Sequence, residues 1–452
     1  MAGAGCATMA WLGLYGFAWN DYDTEARGAF EALTHGHLLE FLRLAPAYGG
    51  TLVERAPFAL LPGLWGGGQL AVYRMVAAPC LLASAALAVW LLARMRVQGS
   101  SRLARGLTLG VCVANPLTLR ALELGHPEEL LGGCLCVAAV LLASGRSVGR
   151  RRALWSGAAL GLAIANKEWA LLAIGPVLLA LPPGRRRWCL ISAAAVSAAV
   201  LGPLALVGSS GFLASTRAVA SAPSAIFQPW QVWWFFGHHG PLVHGLFGAV
   251  KPGYRTPPAW TGQISHPLIL LVGLLLPMAV WLKRRRPRRG AAPQLSAPTA
   301  AGVLARREAL LALSLLLLLR CVLDTWDAVY YPIPFVFALL AWEVLRPGER
   351  LPLLALSSSV LAWVSFQWLP AHASADAQAG FFLAWTLPLA AVLCAILFRA
   401  QRQHGHGRSW VLWSAGGQEM TVRALDRLVR TAGAPVVTTS RSSIRTPRRP
   451  GR

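Results

Sequence analysis

The chain has 452 residues, of which 56% are hydrophobic and only 13% are charged, and its formal net charge is +24. So apolar a composition excludes an ordinary soluble fold, because too few polar side chains are present to face water. The positive charge does not indicate nucleic-acid binding, since the basic residues form short clusters between apolar runs of membrane-spanning length.

The apolar runs predict an all-α fold, a polytopic transmembrane helix bundle of about twelve spans. A helix of roughly 20 residues crosses about 30 Å of hydrocarbon. The predicted spans lie at 4–19, 70–93, 104–122, 127–145, 153–165, 169–183, 188–208, 266–282, 309–323, 332–346, 351–368 and 381–399.

Arginine-rich connections alternate with connections that carry the acidic residues. The basic clusters are Arg94 to Arg105, Arg146 to Arg152, Arg185 to Arg187, Lys283 to Arg289 with Arg306 and Arg307, and Arg346 to Arg350. Because basic loops stay on the cytoplasmic side, both termini are predicted to be cytoplasmic. Two long loops, 20–69 and 209–265, then lie on the other face and are predicted to carry amphipathic helices. Residues 1–400 form the membrane domain, and 401–452 a basic, partly disordered cytoplasmic tail.

The first long loop begins with two carboxylates, Asp21 and Asp23, directly after the first span. A carboxylate near low-dielectric material has a raised pKa and becomes a usable general base. The alternative is that the two side chains only stabilise the N-terminus of a following helix. Further along this loop, Arg55 is a candidate phosphate ligand, and the alternative there is a surface ion pair with Glu54.

A second polar group lies between the third and fourth predicted spans, where His126 and Pro127 precede Glu128 and Glu129. Pro and acidic residues are ordinary at the start of a helix. That explanation accounts less well for a histidine and two glutamates together at the membrane edge. We therefore predict that His126, Glu128 and Glu129 bind sugar hydroxyls or an acceptor, or relay a proton.

Lys167 lies between two apolar runs, each of which is short for a full span. Joined as one helix, they would put Arg150 and Arg185 on opposite sides of the membrane, against the orientation rule. A hairpin with Lys167 at its tip is therefore predicted. A lysine at membrane depth is costly unless it faces a polar partner, so we expect Lys167 to bind an anion such as a lipid phosphate. The alternative is a lysine that reaches the interface and pairs with Glu168.

Two later segments add candidate ligands. The second long loop contains Trp233 and His238 in an aromatic run, which fits sugar stacking and polar contacts but also an aromatic belt at the membrane interface. Arg320 and Asp324 lie one helical turn apart at the outer end of a span, where they contact a ligand or pair with each other. The eight cysteines are interpreted as apolar packing residues, so neither a metal nor another cofactor is predicted.

With these residues in view, the chain resembles the GT-C superfamily of membrane glycosyltransferases, and within it the actinobacterial family 87 enzymes. These are α-mannosyltransferases that depend on polyprenyl-phosphomannose. The resemblance rests on an acidic residue directly after the first span, on a helix that ends in Ala32-Leu33-Thr34-His35-Gly36, and on the lysine hairpin. The stretches around His126 and from Asp324 to Tyr331 are also similar.

The resemblance implies an inverting hexosyltransferase of the cell envelope that uses a polyprenyl-phosphate sugar, expected to be mannose, and no metal. Asp21 or Asp23 would deprotonate a hydroxyl of a lipid or glycan acceptor. Lys167, Arg55 and Arg320 would stabilise the departing polyprenyl phosphate. The protein is thus expected in the cell membrane, in contact with membrane lipids. The alternatives are a transporter or flippase of a lipid-linked saccharide and a non-catalytic membrane scaffold.

Overall fold

The structure is a computed structural model, and the residues it describes are 1–15, 21–46, 49–145, 148–208, 227–239, 243–244, 250–251, 253–285, 298–346, 351–399, 411–413 and 419–421. Most of them are helical, as the sequence predicts. The chain divides into two compact units, Met1–Leu397 and Phe398–Arg452.

The described α-helices lie in the first unit, except for the last two residues of α17. In chain order they are α1 Ala2–Tyr15, α2 Asp21–Glu25, α3 Arg27–Thr34, α4 Leu38–Leu44, α5 Gly50–Ala59, α6 Gln69–Val97, α7 Arg102–Val113, α8 Pro116–Leu124, α9 Glu128–Ala143, α10 Arg150–Asn166, α11 Ile174–Ala180, α12 Arg186–Val207, α13 Ala259–Arg285, α14 Pro298–Leu323, α15 Pro332–Val344, α16 Leu353–Trp363 and α17 Ala375–Arg399. Short 3-10 helices cover Leu61–Trp65, Glu168–Ala173, Pro183–Arg185, Trp234–Phe236 and Leu369–Ala371.

Six helical segments among the described residues are long and apolar enough to cross a membrane, which indicates a membrane protein. They are Gln69–Val97, Arg102–Leu124, Pro183–Val207, Ala259–Arg285, Leu353–Ala371 and Ala375–Arg399. The predicted number of about twelve is therefore not confirmed. Helix α9, for example, has 16 residues, which at 1.5 Å per residue reach about 24 Å and fall short of a full bilayer core.

Helix α9 occupies the centre of the first unit, where it packs against α6, α10, α11, α14 and α15. Its neighbour α10 packs against both α9 and α12. Gly157 and Gly161 allow the second contact, because a Cβ on them would lie 2.2 Å from the carbonyl oxygen of Cys189 and 2.5 Å from that of Ala193. Small residues four apart are a common device for close helix packing in membranes.

The turn after α10 has the predicted hairpin form. The helix ends at Asn166, and α11 and the following segment return the chain to the side where α10 begins. The guanidinium carbon of Arg150 consequently lies 3.7 Å from the centre of the Trp188 ring. The starts of α10 and α12 are therefore neighbours, as the predicted hairpin requires.

The first long loop contains the short helices α2 to α5. Helix α3 buries Phe30 and Leu33 and exposes its charged residues, and the chain leaves it through Gly36 at φ +82°. Helix α3 is therefore amphipathic.

The second long loop was predicted to carry amphipathic helices, but its described part contains short strands. It forms two antiparallel pairs, β1 His238–His239 with β4 Arg255–Thr256, and β2 Val243–His244 with β3 Val250–Lys251. Proline and glycine at Pro229, Gly237 and Gly253 interrupt helical hydrogen bonding there. Residues 209–226, which the prediction also covers, lie outside the described residues.

The second unit is described only in part. Its strands β5 Val411–Trp413 and β6 Glu419–Thr421 form an antiparallel pair. The remainder of the predicted tail lies outside the described residues.

Candidate functional site

Two buried glutamates at the start of α9 form the centre of the site. Helix α8 ends at Leu124, and Gly125 then adopts φ +91°, a left-handed conformation that glycine accepts without steric cost. This turn presents His126 and starts α9, so that Glu128 and Glu129 lie in its first helical turn, where the helix dipole favours negative charge. Both side chains are almost fully buried. Buried carboxylates require charged or hydrogen-bonding partners.

Three cations from three separate elements supply those partners. Arg55 on α5 places Nη2 3.4 Å from Oε2 of Glu128. Lys167, directly after α10, places Nζ 3.2 Å from Oε1 of Glu128 and 3.3 Å from Oε1 of Glu129. Arg320 on α14 lies 3.7 Å from Oε2 of Glu129. The three residues predicted to bind phosphate are therefore gathered around one acidic pair.

Arg55 is not the surface residue of the alternative interpretation. It is 2% exposed, and its Nη1 atom has no hydrogen-bond partner among the described residues. The neighbouring Glu54 also has both carboxyl oxygens buried without such a partner. A buried guanidinium with an unused N–H group favours an additional anionic ligand.

His126 connects this buried group to the first loop. Its Nε2 atom lies 3.1 Å from Oδ2 of Asp21, and its Nδ1 atom lies 2.8 Å from Oε1 of Glu128. Burial alone lowers the pKa of His126, but the charge of Glu128 and the hydrogen bonds to Asp21 and Glu128 outweigh it and raise the pKa to about 9. At neutral pH the ring is thus an imidazolium that donates to both carboxylates.

The two candidate bases occupy different environments. The side chain of Asp21 is 53% exposed and contacts Nε2 of His126. That of Asp23 is 4% exposed and pairs with Arg27 at 3.2 Å. Because a general base must reach the proton that it removes, the geometry favours Asp21.

A narrow cleft lies between the first loop and the start of α9. It is lined by Asp21, Arg55, His126 and Glu128 among others, and has a volume of about 10 Å³. Such a space holds about one water molecule. The cleft is therefore closed to a sugar ring in this structure.

Aromatic side chains that the sequence analysis did not select surround the cations. Arg320 lies over the rings of Trp169 and Tyr331, at 4.8 and 4.2 Å from their centres. Trp169 also donates from Nε1 to Oε1 of Glu129 at 3.3 Å. The Tyr330 ring lies 4.3 Å from that of His126. The sequence does place aromatic residues close to Lys167 and Asp324, which could have indicated this role. Their orientation toward the cations was not predictable from spacing.

Asn166 is a further residue that was not selected. Its Nδ2 atom donates to the carbonyl oxygen of Glu128 at 2.9 Å, so it ties the end of α10 to the start of α9. It thereby fixes the position of Lys167, the next residue, against the glutamates.

Trp233 and His238 lie apart from the described ion pairs of the buried network, whereas the charge of Asp324 acts on Arg320. Trp233 donates from Nε1 to the carbonyl oxygen of Leu323 at 2.7 Å, which places it beside the end of α14. Asp324 accepts from the backbone N–H of Trp326 at 3.0 Å and lies 3.6 Å from His266. His238 is exposed in β1. The predicted sugar contacts of these residues stay predictions.

The strand pair that contains His238 is fixed to α17 by a second charged contact. Arg255 in β4 donates from Nε and Nη2 to the two carboxyl oxygens of Asp376, both at 2.8 Å. Trp234 donates to the same carboxylate at 2.7 Å. A bidentate pair of this kind fixes the geometry as well as the contact, so the second long loop is held against α17 at this point.

A comparison with protein-family models gives one match, described as Glycosyltransferase family 87, over residues 50–318. This range covers more than half of the chain. It includes Arg55, His126, both glutamates and Lys167, and it ends two residues before Arg320. No curated protein and no solved structure matches the chain.

Proposed function

Because the chain belongs to glycosyltransferase family 87, we propose that it moves a hexose, mannose in the first instance, from a polyprenyl-phosphate donor to a lipid or glycan acceptor, with inversion at the anomeric carbon. Family membership establishes a glycosyltransferase. The donor, the sugar and the acceptor are the proposed part.

The observation that carries the proposal is the convergence of Arg55, Lys167 and Arg320 on Glu128 and Glu129. Three buried cations in a membrane protein are expensive unless they serve an anion. The glutamates neutralise them while the cleft is closed. A donor phosphate that enters the cleft competes for the same N–H groups, among them the unused Nη1 of Arg55.

The reaction step follows from these positions. Asp21 takes the proton of an acceptor hydroxyl, and the hydroxyl oxygen bonds to the anomeric carbon of the sugar. The bond from that carbon to the phosphate oxygen breaks, and its electron pair leaves with the polyprenyl phosphate. Lys167, Arg55 and Arg320 stabilise the negative charge that develops there. A single displacement from the opposite side inverts the configuration.

His126 is a positioning residue in this scheme. As an imidazolium it donates to Asp21 and so directs one carboxyl oxygen, while the other oxygen stays available for the acceptor. Glu128 holds the opposite side of the ring. We therefore propose that His126 and Glu128 orient the base, and that Glu128 and Glu129 orient the cations. The predicted contacts of these three residues with sugar hydroxyls stay predictions.

We place the reaction on the outer face of the cell membrane, with both termini cytoplasmic. The arginine clusters support this orientation, because they mark the cytoplasmic side. Residues 1–400 are assigned to the membrane domain and 401–452 to a cytoplasmic tail on the same basis.

The donor class is tested with purified protein in vesicles. We would supply a membrane-derived acceptor fraction with radiolabelled polyprenyl-phosphomannose or with labelled GDP-mannose, and measure the labelled product. Transfer from the lipid donor alone is expected. Transfer from the nucleotide sugar alone would overturn the proposed donor. Movement of the lipid-linked sugar across the vesicle membrane without transfer would support the flippase alternative.

A further inference from the structure

An apolar groove runs along the outside of the bundle, between α11 and α13. Its volume is about 480 Å³, and six of its thirteen lining residues are leucines. The groove forms because α11 is short and lies close to α13. Gly175 and Gly273 produce this close approach, since a Cβ on them would lie 2.3 Å from Pro277 and 2.6 Å from Leu172.

The length of the groove matches one leaflet of a membrane. On α13 its lining residues extend from Leu270 to Trp281. At 1.5 Å per residue this distance is roughly 16 Å, about half of a 30 Å hydrocarbon core. Leu270 and Leu274 are 53% and 66% exposed, so the groove opens sideways toward lipid.

One end of the groove is positively charged. Arg186 lines it, and the charges of Arg284 and Arg285 act on Arg186 from nearby. Arg284 is neutralised by Glu308, to which its Nε donates at 2.6 Å. The guanidinium carbon of Arg285 lies 3.8 Å from the centre of the Trp281 ring, at the same end.

Arg186 can donate a further hydrogen bond to a ligand. Its Nε atom is buried and has no hydrogen-bond partner among the described residues. Of the three guanidinium groups, only that of Arg284 has an acidic partner among the described residues. An anion with an attached hydrocarbon chain satisfies both the charged end and the apolar length.

We propose that this groove is a binding site for an anionic phospholipid. One acyl chain lies along α11 and α13, and the phosphate accepts hydrogen bonds from Arg186 and Arg285. The site is separate from the cleft at Asp21 and does not depend on the proposed donor.

The arrangement of charge distinguishes this occupant from a polyprenyl chain. A donor with its phosphate at Lys167 would extend only hydrocarbon toward Arg186 and leave that arginine without an anion. A phospholipid of the arginine-side leaflet places its phosphate at the charged end and its acyl chain in the leucine-lined part.

The test uses native mass spectrometry of the purified full-length protein with phosphatidylglycerol or phosphatidylcholine of identical acyl chains. We expect tighter retention of phosphatidylglycerol. Arg186→Gln should weaken it about fivefold, the effect of one basic residue at an anionic lipid surface. Arg187→Gln is the matched control, because this neighbour is exposed and does not line the groove.

A second pair of variants tests the apolar part of the groove without changing its charge. Leu274→Trp, which narrows the groove, should lower phosphatidylglycerol binding, whereas Leu271→Trp, on an exposed position outside the lining, should not. Equal retention of the two phospholipids, or equal losses in the test and control variants, would overturn the proposal. Displacement of phosphatidylglycerol by an equimolar amount of polyprenyl phosphate would assign the groove to a polyprenyl chain instead.

Discussion

The Nε2 atom of His126 lies 3.1 Å from Oδ2 of Asp21, so a buried imidazolium directs the exposed carboxylate of the first loop. The other ring nitrogen contacts Glu128, which also contacts Arg55 and Lys167. The proposed base and the proposed phosphate-binding cations therefore belong to a single electrostatic network.

The first prediction concerns His126 and pH. Since the pKa of His126 is raised to about 9, the imidazolium form is present below pH 9 and is lost above it. Wild-type kcat should fall as the pH rises through about 9. His126→Gln should lower kcat at pH 7 by roughly 10- to 100-fold, the range expected for a lost hydrogen bond to a charged group.

The measurement is kcat and KM from pH 6 to pH 10 for both proteins. The variant should lose the decrease near pH 9 and keep the wild-type KM for the acceptor. A variant with wild-type kcat at pH 7 would show that His126 does not position the base.

The second prediction concerns the buried pairs around Lys167. Lys167→Met leaves Glu128 and Glu129 short of a cation, and breaking a buried pair in this way costs about 3–5 kcal/mol. The free energy of unfolding in detergent should fall by that order. Adding Glu129→Gln should restore part of the loss, because it removes one of the uncompensated charges.

Arg27→Met is the control for this cycle, since Arg27 forms a partly exposed pair with Glu31 at 2.8 Å. Its effect should stay below about 1 kcal/mol. Strict additivity of the Lys167 and Glu129 substitutions would contradict the coupling seen in the structure.

The third prediction concerns Glu54, whose pKa burial raises to about 8. A carboxyl group with a raised pKa binds its proton more tightly in the folded state, so stability falls as the pH rises from about 4.5 to 8. Glu54→Gln stays neutral and should avoid this loss. At pH 8.5 the variant should be more stable than wild type by roughly 1–3 kcal/mol, the usual cost of a buried polar group without a partner.

The difference in stability between Glu54→Gln and the wild type should be small at pH 5. Thermal unfolding at the two pH values measures it, with Glu40→Gln as the control because the side chain of Glu40 is 58% exposed. An equal change at both pH values would indicate that the packing of residue 54, and not its charge, determines the effect.

Sequence patterns predicted the parts of the fold that depend on residues close together in the sequence. Hydropathy and the arginine clusters indicated the helical character and the reversal at Lys167. The number of spans was harder to predict, because α9 and α11 are apolar but have only 16 and 7 residues. Apolar composition is the same for a buried helix and for a membrane span, so length alone distinguishes them.

The candidate site was likewise predictable only in part. The sequence selected Asp21, Lys167 and Arg320 by charge and membrane position, but it could not show that two adjacent glutamates bring the cations together. That relationship depends on the packing of α5, α10 and α14 around α9. The exposure of Asp21 and the burial of Asp23 likewise follow from how α2 lies against His126, which no spacing rule specifies.

The most direct test of the central claim compares sugar transfer by Asp21→Asn and Asp23→Asn in vesicles supplied with a labelled polyprenyl-phosphate sugar. Both substitutions remove one carboxylate from the same short helix, so each controls for the other. Asp21→Asn should lower kcat by about 10²- to 10⁴-fold, as expected for a lost general base, and Asp23→Asn should keep most of the activity. Full activity of Asp21→Asn, in protein that is correctly inserted, would contradict the account.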